Sequence, residues 1–154
     1  MSADTQRTLV LIKPDGVQRG LVGAIISRVE ARGLKIVAMK MLQMDREMAS
    51  QHYDVHRQRP FFQGLVEFIT TSPIIAVVLE GSNAVELVRR SMGTTDPVQA
   101  EPGTIRGDLA VEIGRNLIHG SDSLETAATE ISLFFKSEEI PGYTRSVEPW
   151  ITES

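Results

Sequence analysis

A chain of 154 residues with 42% hydrophobic content builds one compact core and is too short for two domains of ordinary size, so a single domain spanning residues 1–154 is expected. Cysteine is absent, which excludes disulfides, thiolate metal sites and a cysteine nucleophile. A net charge of −4 without a basic run argues against dedicated nucleic-acid binding, and the amino-terminal apolar stretch 9–12 is too short for a signal-peptide core or a membrane span, so a cytoplasmic protein is expected.

Residues 8–12 are β-rich and end at Lys13-Pro14-Asp15-Gly16, where proline and Asp-Gly announce a turn; the strand delivers Lys13 to its carboxyl end. In residues 21–31, Val22, Ile25, Ile26 and Val29 recur at helical spacing, and Gly33 supplies a stop. Residues 34–44 read as a long strand with Ile36, Ala38 and Leu42 on one face and Lys35, Val37, Met39 and Met41 on the other. Two short helices follow over 46–57 and 61–69, interrupted by Arg59-Pro60. Residues 73–80 read as a buried strand. Asn83 with Glu86 then forms a capping box for a helix carrying Val85, Val88 and Met92, with Arg89 and Arg90 near its end.

Residues 93–116 hold two prolines, four glycines and little periodicity, and long ordered loops in small domains are usually functional. A brief strand over 117–119 precedes a last helix, capped by Asp122 with Glu125 and bearing Leu124, Ala127, Ala128, Ile131 and Phe135. Residues 136–154 form a tail. The element order implies an α+β fold of the ferredoxin-like, split βαβ kind: a four-stranded, mostly antiparallel sheet covered by helices, with a long loop and a carboxyl-terminal tail.

The phosphate-binding loop Gly-x4-Gly-Lys-Ser/Thr, the dinucleotide fingerprint Gly-x-Gly-x-x-Gly and the protein-kinase signatures are all missing. A second design for handling phosphate is available in Lys13, Arg89, Thr95, Arg106, Asn116 and His119, which fall at element ends or in the long loop. Arginine and lysine neutralise phosphate oxygens, threonine and asparagine add neutral hydrogen bonds, and an ordinary imidazole is substantially neutral and nucleophilic at pH 7. His52 and His56 have the helical spacing of a metal pair, but no third ligand is evident, so a surface or hydrogen-bonded pair is the expected reading. The tripeptide Arg106-Gly107-Asp108 is read as accidental.

Four segments, Lys13-Pro14-Asp15-Gly16-Val17-Gln18-Arg19-Gly20, Arg59-Pro60-Phe61-Phe62, Gly103-Thr104-Ile105-Arg106-Gly107-Asp108 and Asn116-Leu117-Ile118-His119-Gly120-Ser121-Asp122-Ser123, closely resemble the motifs of the nucleoside diphosphate kinase family in order and spacing. The similarity runs over residues 6–151. Ser72 and Leu109 depart from the family's usual glycine and aromatic, and Thr94 and Asp96 vary around Thr95.

The resemblance implies that His119 accepts the phosphate and that Glu130 orients its imidazole, with Ser121 close by. It places Lys13, Tyr53 and Asn116 near the ribose 3′-hydroxyl and the transferring phosphate, and Arg89, Thr95 and Arg106 on the phosphates. Phe61 is expected to stack on the base between Leu65 and Ile113, a mode that tolerates many bases. It further implies ping-pong transfer between nucleoside tri- and diphosphates, with Mg²⁺ held chiefly by the phosphates and no metal ligands in the chain. A homo-oligomer is implied, most simply a hexamer. A catalytically silent nucleotide sensor is the alternative, marked by loss of His119 or of the phosphate-binding set, and every one of those positions is filled.

Overall fold

The computed structural model describes residues 5–153. Its strands are β1 (Thr5–Ile12), β2 (Lys35–Leu42), β3 (Ile74–Ser82) and β4 (Ile118–Gly120), and its helices are α1 (Pro14–Gln18), α2 (Val22–Ala31), α3 (Arg46–His52), α4 (Phe62–Ile69), α5 (Ala84–Met92), α6 (Ile105–Leu109) and α7 (Leu124–Phe134). The four strands lie in the order β2-β3-β1-β4 and every neighbouring pair is antiparallel, which is the expected ferredoxin-like, split βαβ sheet.

Helices cover both faces, which explains why β1 reads as an unbroken apolar run rather than an alternation. Leu9 and Leu11 point into a core with Ala49, Phe62, Val66, Ile69 and Phe134, while Val10 and Ile12 point into another with Ile25, Val29, Val88, Met92, Ile105 and Leu117. In β2 the register slips between Ile36 and Ala38, so Ile36 joins the second core while Val37 and Ala38 both join the first. The bulge thus breaks the strict alternation expected of this strand. Met39 and Met41 beyond it are exposed.

Local chemistry moved several boundaries. The expected turn after Lys13 is the helix α1, with Pro14 in its first turn, where a missing N–H costs nothing. The capping box at Asn83 does not form: Asn83 sits at φ 55° and its side chain caps nothing, while Gln6 Oε1 from β1 accepts from Val85 N at 3.3 Å. Helix α7 is capped by Ser123, not Asp122, through a bond from Thr126 N at 3.0 Å. Its buried residues are Ala127, Glu130 and Phe134, whereas Leu124 is exposed and Phe135 lies past the end of the helix. The long loop is partly ordered by α6, capped by Thr104, and by a 3-10 turn at Ile113–Arg115. Along the tail, Tyr143 donates its hydroxyl to Ile36 O and Arg145 donates to Gly33 O at 2.9 Å, which ties the tail to β2 and the turn before it. Among the described residues no helix is long and apolar enough to cross a membrane.

Candidate active site

The site begins where β1 ends and β4 starts. Leu11 pairs with His119 across the two strands, so His119 shares the face of the first core. Lys13 N donates to Leu117 O at 2.8 Å, and Asp15 Oδ2, buried at the start of α1, accepts from Leu117 N at 2.9 Å. Leu117 takes φ 74°, and Ile118 N bonds back to Asn116 O at 2.9 Å, a tight turn that a leucine adopts only when its surroundings enforce it. The pair of bonds from Lys13 and Asp15 supplies that enforcement.

His119 Nε2 lies 2.9 Å from Glu130 Oε2, and Ser121 donates to the other carboxylate oxygen at 2.6 Å. Ser121 is fully buried and its Oγ also accepts from Leu9 N at 3.3 Å, anchoring the carboxylate to β1. Burial would raise the Glu130 carboxyl, but hydrogen bonding from His119 and Ser121 and the histidines' charge reverse this and hold it below its ordinary value. An anionic Glu130 accepts the Nε2 proton and fixes the tautomer. Among the described residues Nδ1 of His119 has no hydrogen-bond partner and is not among the buried unpaired atoms, so its lone pair is available.

The phosphate-binding candidates gather beside this dyad. Lys13 Nζ donates to Asn116 Oδ1 at 2.5 Å, and Asn116 Nδ2 donates to Thr95 O at 2.9 Å. Burial, reinforced by the Arg106 and Arg115 charges, brings Lys13 down to about 8, against the opposing pull of Asp15. Arg106 is buried and donates to Asn116 O at 3.2 Å, Gly93 O at 3.0 Å and Ile118 O at 2.6 Å; burial and then the Arg89 charge lower it to about 10. Arg89 Nη1 reaches Gly120 O at 3.2 Å, next to His119. Tyr53 is pushed up to about 12 by burial and by Glu130, so its hydroxyl stays a neutral donor.

Phe61 stands apart from this group: it is 50% exposed and its ring contacts His56 at 5.2 Å, not the dyad. Leu65 is half-buried and Ile113 exposed, and among the described residues neither makes a hydrogen bond or ring contact to the His119 set. A cavity of about 580 Å³ between the start of β2 and the tail shares no residue with the His119 group.

His52 was read as a surface or hydrogen-bonded partner of His56, and the structure overturns this. Its side chain is 1% exposed, its ring centroid is 4.8 Å from that of His119, and its Nδ1 is 3.6 Å from Glu130 Oε2. The turn at Asp54–His56 ends α3 after His52, so the two histidines leave the shared helical face on which their spacing rests. Asp15 is likewise absent from the expected site set; its sequence signals are its place after the first strand and within the Lys13-Pro14-Asp15-Gly16 segment. Among the described residues His52, His119 and Glu130 are the one His/Asp/Glu cluster close enough to share an ion. It offers a single oxygen ligand and cannot form the oxygen cage Mg²⁺ requires.

A family model described as nucleoside diphosphate kinase matches residues 6–140. A nucleoside diphosphate kinase of Synechococcus elongatus is 58% identical over 96% of this chain and 99% of its own length, and one of Archaeoglobus fulgidus is 55% identical over 96% and 98%. A halophilic nucleoside diphosphate kinase of Halobacterium salinarum, solved in complex with CDP, superposes with a TM-score of 0.93 at 48% identity, covering 96% of this chain and 98% of that one. The match of the family model over most of the sequence, joined to relatives this similar over nearly their whole lengths, shows that the chain belongs to the nucleoside diphosphate kinase family.

Proposed function

We propose that this chain performs its family's transfer of a γ-phosphate from nucleoside triphosphate to nucleoside diphosphate in two half-reactions through a phosphohistidine at His119. The observation that carries the reading is the 2.9 Å contact of His119 Nε2 with the Ser121-anchored Glu130, which leaves Nδ1 as the free nucleophile. In the first half-reaction Nδ1 attacks the γ-phosphorus in line, the bond to the β–γ bridging oxygen breaks, and the diphosphate leaves. The positive charge that develops on the imidazole is shared through Nε2–H with Glu130. In the second, the terminal phosphate oxygen of another diphosphate attacks the phosphohistidine, and the N–P bond breaks to restore neutral His119.

Lys13, Arg89, Thr95, Arg106 and Asn116 neutralise and orient the phosphates, with Lys13, Tyr53 and Asn116 placed toward the ribose hydroxyl. Phe61, half exposed at the start of α4, offers a ring face to the base, with Leu65 and Ile113 as walls. The halobacterial relative, solved in complex with CDP, supports a nucleotide ligand, and stacking without edge recognition gives broad base tolerance. Mg²⁺ bound by the nucleotide's phosphates, with no metal ligand from the chain, would supply charge neutralisation there. The exposed Trp150 and Val98, on the tail and the long loop, support contacts between copies in a hexamer, and the reaction suits the cytoplasm.

The test is incubation with Mg²⁺ and γ-labelled ATP without acceptor. Acid-labile, base-stable label that requires His119, is absent in His119→Ala and passes to GDP is expected. Nucleotide binding without labelling refutes the reading and leaves the silent sensor.

A further inference from the structure

His52 plays no part in the transfer just described, and its burial is costly. Both ring nitrogens are buried without a hydrogen-bond partner among the described residues, and a buried polar group left unpaired is destabilising. Burial, then the His119 charge, drives its pKa down to about 3, so the ring is neutral and its contact with Glu130 is no ion pair. A neutral imidazole with free lone-pair capacity beside a carboxylate and a second imidazole is a ligand set. Each of His52, His119 and Glu130 presents a donor atom, and these atoms all lie within 4.8 Å of one another.

We propose that His52, His119 and Glu130 bind one borderline divalent transition ion, with zinc as the chemical type, and that the bound ion switches off the phosphate acceptor. Two imidazoles and one carboxylate form a known donor set for zinc with a fourth position left to water. Donor atoms around tetrahedral zinc sit roughly 3.4 Å apart, and the Glu130 distances of 2.9 Å to His119 and 3.6 Å to His52 bracket that value. Ser121 holds Oε1 of the carboxylate, so Oε2 is the oxygen turned to both histidines. Magnesium, which demands oxygen ligands and octahedral geometry, is excluded, so the ion carried by the nucleotide does not compete.

Zinc at this position binds the Nε2 lone pair of the other neutral tautomer of His119, whose proton moves to Nδ1 so that Nδ1 no longer offers a lone pair, and it takes Oε2 of Glu130 as a ligand. The acceptor ring then loses the carboxylate that shares its developing charge, and its electron density is drawn toward the metal. The site itself stands on the cluster's geometry; the inhibition rests on the phosphohistidine reading.

The experiment is a calorimetric titration of untagged, nucleotide-free protein with Zn²⁺, repeated in millimolar Mg²⁺ and with His52→Gln and His52→Ala. One zinc per chain, unaffected by Mg²⁺ and weakened at least about tenfold in both variants, is expected. The visible spectrum of the wild-type protein with Co²⁺ checks tetrahedral coordination without any variant, so a misfolded variant leaves the site testable. Labelling from γ-labelled ATP should fall in proportion to zinc occupancy in the wild type and resist zinc in His52→Gln. Zinc binding that ignores His52, or a Co²⁺ spectrum lacking tetrahedral bands, overturns the site. Stoichiometric zinc with undiminished labelling overturns the switch. A metal-free protein that takes no label refutes the His119 reading and with it the inhibition, while the zinc isotherm still decides the site.

Discussion

Nucleotide binding should draw a proton from solvent, and Lys13 is the reason. In the free protein burial holds Lys13 at about 8 against an ordinary 10.5, so at pH 8 about half of the chains carry a neutral amine at the phosphate site. Nucleotide phosphates, whose last pKa lies near 6, are fully ionised at that pH and stabilise the ammonium. If they restore the ordinary value, each site takes up about half a proton at pH 8 and almost none at pH 6.5, where Lys13 is already charged. Return of Lys13 from about 8 to 10.5 corresponds to roughly 3 kcal/mol of coupling between phosphate and proton. Calorimetric titration with ADP in two buffers of different ionisation enthalpy reads the uptake directly. Lys13→Met should abolish it, and Lys13→Arg, whose charge is permanent, should abolish it too while retaining part of the affinity. Above pH 8 the wild-type Kd should weaken toward about tenfold per pH unit until the ordinary value is reached. The same sign governs stability: the unfolded chain holds the proton that the folded chain releases, so wild type gains on Lys13→Met as pH rises from about 8 to 10.5. Proton uptake that is absent in wild type, or unchanged in Lys13→Met, refutes the reasoning.

Glu130→Gln keeps the shape of the dyad but removes the anion that shares the imidazole's charge, so rapid-quench labelling of His119 should slow by about 10–100-fold with little change in ADP affinity. An equal loss of affinity would instead place Glu130 among the phosphate ligands. Ser121→Ala strands Glu130 Oε1 and Leu9 N in a buried setting; urea unfolding should show a loss of about 1–3 kcal/mol, and an unchanged midpoint would show that the hydroxyl anchors nothing. Gly107→Ala would set a Cβ 2.1 Å from the Glu101 carbonyl oxygen, so α6 must shift and carry Arg106 with it. About 1–3 kcal/mol of stability and part of the nucleotide affinity should go, while Gly114→Ala, with open space around it, should stay within about 0.5 kcal/mol of wild type.

The sheet was legible because its apolar runs lie between turn residues, and its mostly antiparallel character follows from the order of strands and helices. What periodicity could not show were features decided by contacts far away in the chain. Val37 bulges where β2 meets β3, which no local pattern announces. Asn83 lost its capping role to Gln6, a residue 77 positions earlier on β1, because the strand end places an amide oxygen against Val85 N. The site was legible as a set of residue types at element ends, but not as a geometry. His52 shows the limit: a spacing argument tied it to His56, whereas α3 ends at His52 and leaves its ring against His119 from another element. Asp15 escaped notice because its task, holding Leu117 at φ 74°, exists only once β1 and β4 are paired.

Arg106 shows why a buried arginine serves this chemistry better than a surface one. Three of its N–H groups are spent on the carbonyls of Gly93, at the end of α5, and of Asn116 and Ile118, which flank the Leu117 turn just before His119. A guanidinium has five donors, so two remain for an incoming phosphate without breaking the scaffold. Lowered only to about 10, the group stays charged at neutral pH despite its burial. On the proposed reading of the site, the same side chain fixes the backbone around the phosphate acceptor and presents a cation that need not reorganise when charge spreads over the transferring phosphate. A lysine at this position has three donors on a point charge and cannot meet both demands, so Arg106→Lys must loosen the turn, the phosphate contact or both.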